Sequence, residues 1–170
     1  MQTFEVFPFL RGTSTRYPID RPYVGIPRRN RRPRDLSEPI HHAADDWFFR
    51  RFSCRFRSQA LFVSPQLLVA AGYGATPDHV VRILPLGAYQ YCWSRKTSDL
   101  LSVLKQVTNI EDVEQELVGA DYTNSDLRGA HESGHELMLF CDRYVAIPVS
   151  QLVEDNAAPQ PNKSIILTSS

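Results

Sequence analysis

An α+β fold in a single domain is what this chain predicts, and three observations predict it. Strand-like and helix-like segments come in groups rather than in β-α-β alternation. The 170 residues suffice for one domain with a real core. The 42% hydrophobic and 22% charged fractions are those of an ordinary globule. No run of eighteen apolar residues and no charged-then-apolar leader is visible, so neither a membrane span nor a signal peptide is expected. Cys54, Cys92 and Cys141 stand far apart without a C-x-x-C pair. That odd, scattered set argues against a disulfide framework and a zinc knuckle and for a reducing, cytoplasmic setting.

Taken in order, residues 3–10 form an aromatic, β-prone run (Phe4, Val6, Phe7) that reads as a first strand ending at Arg11-Gly12-Thr13. Residues 14–36 hold Pro18, Pro22, Pro27 and Pro33 among many arginines, a composition that blocks helix and central strand and predicts a long loop. Ser37 as cap, Pro39 in the first turn and Ile40, Ala44, Trp47, Phe48 and Arg51 on one stripe predict an amphipathic helix over about 38–51. Residues 60–63 read as a buried strand. Ser64-Pro65 and the run to Gly72 read as a cap, a short helix and a glycine stop. Two strands are expected at 79–84 and 88–93, split by Pro85-Leu86-Gly87. Helices follow at about 98–107 and 110–118, the second behind Asn109, and then a polar stretch from Gly119 to His135. The apolar runs 136–141 and 144–147, joined by Asp142-Arg143, read as a hairpin. One domain is expected over 1–153, with a C-terminal tail over 154–170, of which 154–163 reads as a solvated linker and 164–170 is unassigned.

Net charge is zero only in total. Residues 1–57 hold twelve arginines against six acids, and residues 58–170 hold seven Lys and Arg against thirteen. Every cation of the first part is arginine, whose planar fork suits phosphate and carboxylate and stacks on rings. An anionic ligand is one reading, and internal balance between a basic and an acidic face is the other.

His131-Glu132-Ser133-Gly134-His135 is a literal H-E-x-x-H, the pattern in which two imidazoles one helical turn apart bind zinc. Gly134 disfavours the required helix and the next residues are strand-like, so the expectation is two loop histidines and no metal. His41-His42 is assigned no chemistry. No G-x-x-x-x-G-K-[ST] or G-x-S-x-G occurs, and Gly72-Tyr73-Gly74 lacks the third glycine of a dinucleotide fingerprint.

Three separated segments form a more coherent set: Phe9-Leu10-Arg11-Gly12-Thr13, then Phe62-Val63-Ser64-Pro65 leading to Ala70-Ala71-Gly72-Tyr73-Gly74, and Ser133-Gly134-His135-Glu136-Leu137. In order and spacing they resemble the Arg-Ser-Glu branch of the mono-ADP-ribosyltransferase superfamily, and Val80 to Gly87 is similar to that family's following strand. The resemblance spans about residues 3–150. It implies two packed β-sheets with flanking helices, NAD as substrate and transfer of ADP-ribose to a macromolecular acceptor. By the same resemblance Glu136, Arg11 and Ser64 are the catalytic residues, and Arg11, Gly12, Thr13, Phe62, Ser64 and Tyr73 bind NAD. Glu136 would stabilise the oxocarbenium-like sugar, Arg11 the pyrophosphate or its ribose, and Ser64 would buttress the carboxylate. Phe62 or Tyr73 would stack on nicotinamide. Gly134 stands where arginine-modifying members carry a second glutamate, so an arginine acceptor does not follow. Phe62-Val63-Ser64 replaces Ser-Thr-Ser, and Ser58 is the alternative serine.

The expectation is thus a toxin, effector or phage-conflict enzyme acting on protein or nucleic acid, with a neutralising antitoxin or immunity protein as a possible partner. Arginines mixed with aromatic rings over 47–57, with Arg28, Arg29, Arg31, Arg32 and Arg34, suit single-stranded nucleic acid as well as they suit a helix core and a pyrophosphate. A non-enzymatic nucleic-acid or protein-binding module using the basic N-terminal half and a zinc hydrolase through His131 and His135 stand as alternatives.

Overall fold

The computed structural model describes residues 3–152, and the tail expected over 154–170 lies outside the described residues. In chain order the elements are β1 (Phe9–Gly12), β2 (Tyr23–Gly25), α1 (Glu38–Phe52), α2 (Phe56–Gln59), β3 (Leu61–Val63), α3 (Leu67–Gly72), β4 (Val80–Ser94), α4 (Leu100–Leu104), α5 (Ile110–Gly119), β5 (Tyr122–Thr123), α6 (Leu127–Ser133) and β6 (Leu137–Pro148). The class is α+β and every strand pairing is antiparallel. Among the described residues no helix is long and apolar enough to cross a membrane.

Where two packed sheets are expected, hydrogen bonds join all six strands into one. The cause is the length of β4 and β6, which pair from Val81 opposite Pro148 to Trp93 opposite Leu137 and so run through both ends of the sheet. At one end the order is β1-β4-β6-β2; at the other, β5 adds to β4 and β3 to β6. A further bridge links Leu10 to Ser64. The sheet therefore curls far enough for β1 and β3, on opposite outer edges, to touch.

The strand breaks expected within β4 and β6 are absent. Pro85-Leu86-Gly87 makes a bulge instead of a turn: the register shifts between Leu86 and Tyr89, and Gly87 takes a left-handed φ of 74°. Pairing with β1 ends at Ile83, so Pro85 lies on a locally open edge where a missing N–H is tolerated. Asp142-Arg143 does not turn either, because a two-residue hairpin needs positive φ and neither residue adopts it. The first strand is also shorter than the run 3–10: Pro8 interrupts it, residues 3–7 form a turn closed by Phe7 N–H on Thr3 O at 2.9 Å, and pairing begins at Phe9. Inside the expected loop, β2 forms between Pro22 and Pro27. The polar stretch 119–135 contains β5 and α6, the latter capped by Asp126, whose carboxylate accepts the Gly129 N–H at 3.0 Å.

The helix over 38–51, the strand at 60–63 and the helices after 66, 98 and 109 match α1, β3, α3, α4 and α5 to within a few residues. Ser37 occupies the N-cap position of α1, without a side-chain cap bond. Two apolar layers cover the sheet. Ala44, Trp47 and Phe48 of α1, Leu100 and Leu104 of α4 and Leu117 of α5 pack with Met138 on one face; Phe4, Phe9, Leu127 and Ala130 pack with Leu137, Leu139 and Cys141 on the other. Burial of both faces is why β6 opens as an unbroken apolar run. The three cysteines are buried free thiols, and burial pushes Cys54 up to about 12 and Cys141 up to about 11.

Candidate active site

A cleft of about 1130 Å³ opens where the ends of β1, β3 and β6 converge, slightly larger than typical small-molecule sites. Arg11, Gly12, Thr13, Phe62, Ser64, Tyr73 and Glu136 all line it. The pairing that brings β3 and β6 together ends with Val63 opposite Leu137, so Ser64, which follows β3, and Glu136, which precedes β6, leave the ladder at the same end and both line the cleft. The Leu10–Ser64 bridge brings Arg11, the next residue of β1, into the wall of the same cleft, with Leu10 N–H on Ser64 O at 2.7 Å and Ser64 N–H on Leu10 O at 2.9 Å.

Gly12 shows how tightly the wall is built. A Cβ there would lie 2.4 Å from both Ala70 O and Gly74 N, so only glycine lets β1 approach the turn after α3. Thr13 completes the seam: its N–H donates to His79 O at 2.8 Å, and its carbonyl accepts from Ala75 N–H at 2.9 Å. Gly12 and Thr13 are thus backbone anchors of the cleft wall. Tyr73, held at the lip by this seam, is 74% exposed and free to stack on a ligand.

Glu136 is half-buried and anchored by the start of α4: its carboxylate Oε1 accepts the Leu100 N–H at 3.1 Å, and its own N–H donates to Ser98 O at 2.8 Å. Burial pushes its carboxyl up to about 7; the Leu100 bond, Arg57 and Arg31 pull it back, and Asp99 opposes them. The expected buttress is therefore corrected. The bond comes from Leu100, while the buried Ser64 hydroxyl oxygen is occupied by the Gln66 N–H at 3.1 Å, a local turn contact.

The cleft also holds arginines without carboxylate partners, of which Arg31 and Arg57 act on Glu136. Arg11 donates from Nη1 to Phe62 O at 2.9 Å, and burial lowers its pKa. Arg31 stacks on the Phe62 ring at 4.4 Å and Arg57 lies 5.6 Å from the same centroid. Phe62 is thus occupied by guanidinium groups, leaving Tyr73 as the ring available to a ligand. Burial and the neighbouring Arg11 and Arg57 push Arg31 down to about 10, against the pull of Glu136. The Nε of Arg57 is buried with no hydrogen-bond partner. Among the described residues no carboxylate lies within ion-pair distance of Arg11, Arg31 or Arg57. A desolvated cation without a counter-charge is costly, and an anionic ligand is what would relieve it.

Ser58, the alternative serine, belongs to a neighbouring pocket of about 550 Å³, where its hydroxyl donates to the buried Asp45 carboxylate and its N–H donates to the same group at 3.1 Å. The two histidines of the H-E-x-x-H do not share a helix face. His131 lies in α6 against Phe7 and Phe9, the helix ends at the left-handed Gly134, and His135 donates from Nδ1 to Ser94 O at 2.8 Å. Sequence reasoning did not single out Arg31 and Arg57 as neighbours of Glu136, nor the Leu100 N–H; nothing in their spacing marks them, because a loop and two helix ends bring them in.

Compared with known proteins, the chain matches no family model, no curated protein and no solved structure.

Proposed function

We propose that the protein is an NAD-dependent mono-ADP-ribosyltransferase, which cleaves the nicotinamide–ribose bond and passes ADP-ribose to a macromolecular acceptor. The observation that carries this reading is the convergence of Arg11, Ser64 and Glu136, remote in sequence, on one arginine-rich cleft. The donor set suits a dinucleotide. Arg11 and Arg31 offer forked cations to the pyrophosphate, the unpaired Nε of Arg57 offers a further donor, and Tyr73 offers its face to nicotinamide. The ionised Glu136 carboxylate, held by Leu100, orients the ribose and stabilises the positive charge that develops at C1′ as the bond breaks and its electron pair leaves with nicotinamide.

The test is release of nicotinamide and covalent label from NAD radiolabelled in the adenylate part, incubated with the protein and cell extract. Label transfer that Glu136→Gln abolishes supports the reading. Anion binding with no nicotinamide release would leave a binding module in its place.

A further inference from the structure

We infer that the acceptor is single-stranded nucleic acid, drawn to the cleft by the arginines of its mouth; this rests on the transferase reading above. The cleft is lined by seven arginines against three carboxylates, Asp35, Asp99 and Glu136. The two phosphates of NAD would offset only half of that surplus of four. Four of the seven, Arg16, Arg28, Arg32 and Arg34, are exposed and have no carboxylate within ion-pair distance among the described residues. An excess of this sign repels a lysine or arginine side chain as acceptor and attracts a polyanion.

Shape points the same way. The segment Asn30 to Pro33 lines both the cleft and the 550 Å³ pocket beside it, so the arginine track continues past the mouth. Tyr73 presents an exposed ring at the lip, as stacking of an unpaired base requires. Glu136 lies half-buried, beyond reach of a base that stays stacked inside a duplex. In the transfer, the bond from C1′ to nicotinamide breaks with its electron pair going to nicotinamide. A new bond joins C1′ to a nitrogen or oxygen of the strand, and the proton that atom loses passes to Glu136 or to water.

The experiment supplies labelled NAD to the full chain with mixed-sequence RNA strands, DNA strands, the matching duplexes and total cell protein, and follows nicotinamide release in the same tubes. Expected are label on RNA or DNA strands, at least tenfold less on duplexes, and a transfer that collapses between about 50 and 200 mM salt. Arg32→Ala with Arg34→Ala should reduce transfer to the strand at least tenfold more than it reduces nicotinamide release without a strand. It should also flatten the slope of log affinity against log salt by about 1.4, for two lost phosphate contacts. Nicotinamide release with label on protein alone, or on no macromolecule, overturns the nucleic-acid acceptor and leaves the transferase reading standing. Equal loss of transfer and release in the double variant overturns the assignment of the mouth arginines to the strand. No nicotinamide release under any condition overturns both.

Discussion

Two cavities lie side by side along the same arginine-bearing segment, and they use arginine in opposite ways. In the smaller one two arginines have carboxylate partners: Arg29 pairs with Asp142 at 2.8 Å and caps Cys141 O at 2.9 Å, and Arg55 pairs with Asp46, while Asp45 is taken up by Ser58. In the larger one Arg11, Arg31 and Arg57 are desolvated and none has a carboxylate within ion-pair distance among the described residues, although Arg31 and Arg57 lie in the field of the half-buried Glu136. The paired Arg29 ties its loop to β6 and the paired Arg55 ties the start of α2 to α1, whereas unpaired arginines leave a positive field facing an open volume. Residue type alone does not separate the two roles; the presence of a partner does.

Substitutions on either side sharpen that contrast. The largest effect is expected from Glu136→Gln, which keeps the volume and an oxygen for the Leu100 N–H while removing the charge; nicotinamide release should fall a hundred- to thousandfold. A melting temperature unchanged or raised at pH 8 would show that the loss is chemical. Gly12→Ala comes next: its Cβ meets backbone on two sides, so denaturant titration should show a loss of about 2–4 kcal/mol and a cleft that no longer binds NAD. Arg11→Ala or Arg31→Ala should raise the NAD concentration needed for half-maximal rate about tenfold, against less than twofold for Arg55→Ala. Equal effects would erase the distinction between the two cavities.

A smaller signature is the pH dependence. Burial raises the Glu136 carboxyl from its ordinary 4.5 to about 7, so between those values the folded state holds a proton that the unfolded chain releases. The group's contribution to stability is then full below about pH 4.5 and shrinks as pH rises through 7, while activity, which needs the ionised form, rises through the same interval. Arg57→Ala removes a cation that lowers this pKa, so the rate inflection should move to higher pH. The smallest effect belongs to Asp46→Asn on the exposed pair with Arg55: at most about 1 kcal/mol in stability, and none in NAD cleavage.

Local signals in the text are reliable where packing does not compete with them. The stripe Ile40, Ala44, Trp47, Phe48 specifies α1, whereas Ser64-Pro65, which reads as cap and first helical residue, lies outside α3: the helix starts at Leu67 behind Gln66, because Ser64 is held in the bridge to Leu10. Punctuation fails where a long strand overrides it: Pro85-Leu86-Gly87 and Asp142-Arg143 look like turns, yet β4 and β6 stay paired across both because each satisfies the other's backbone groups for most of its length. The site divides along the same line. Arg11, Ser64 and Glu136 were legible as candidates from order and context, but Ser64 turns out to serve its own turn.

By itself the amino-acid order determined the α+β class, the core stripes and the presence of an arginine-rich first part, since periodicity and charge are properties of neighbours along the chain. Only the tertiary structure decided that one curled sheet replaces two, that Leu100 rather than Ser64 holds Glu136, and which arginines are left without a counter-charge. Partnership between ions depends on distances across the fold, and sequence separation does not encode those distances.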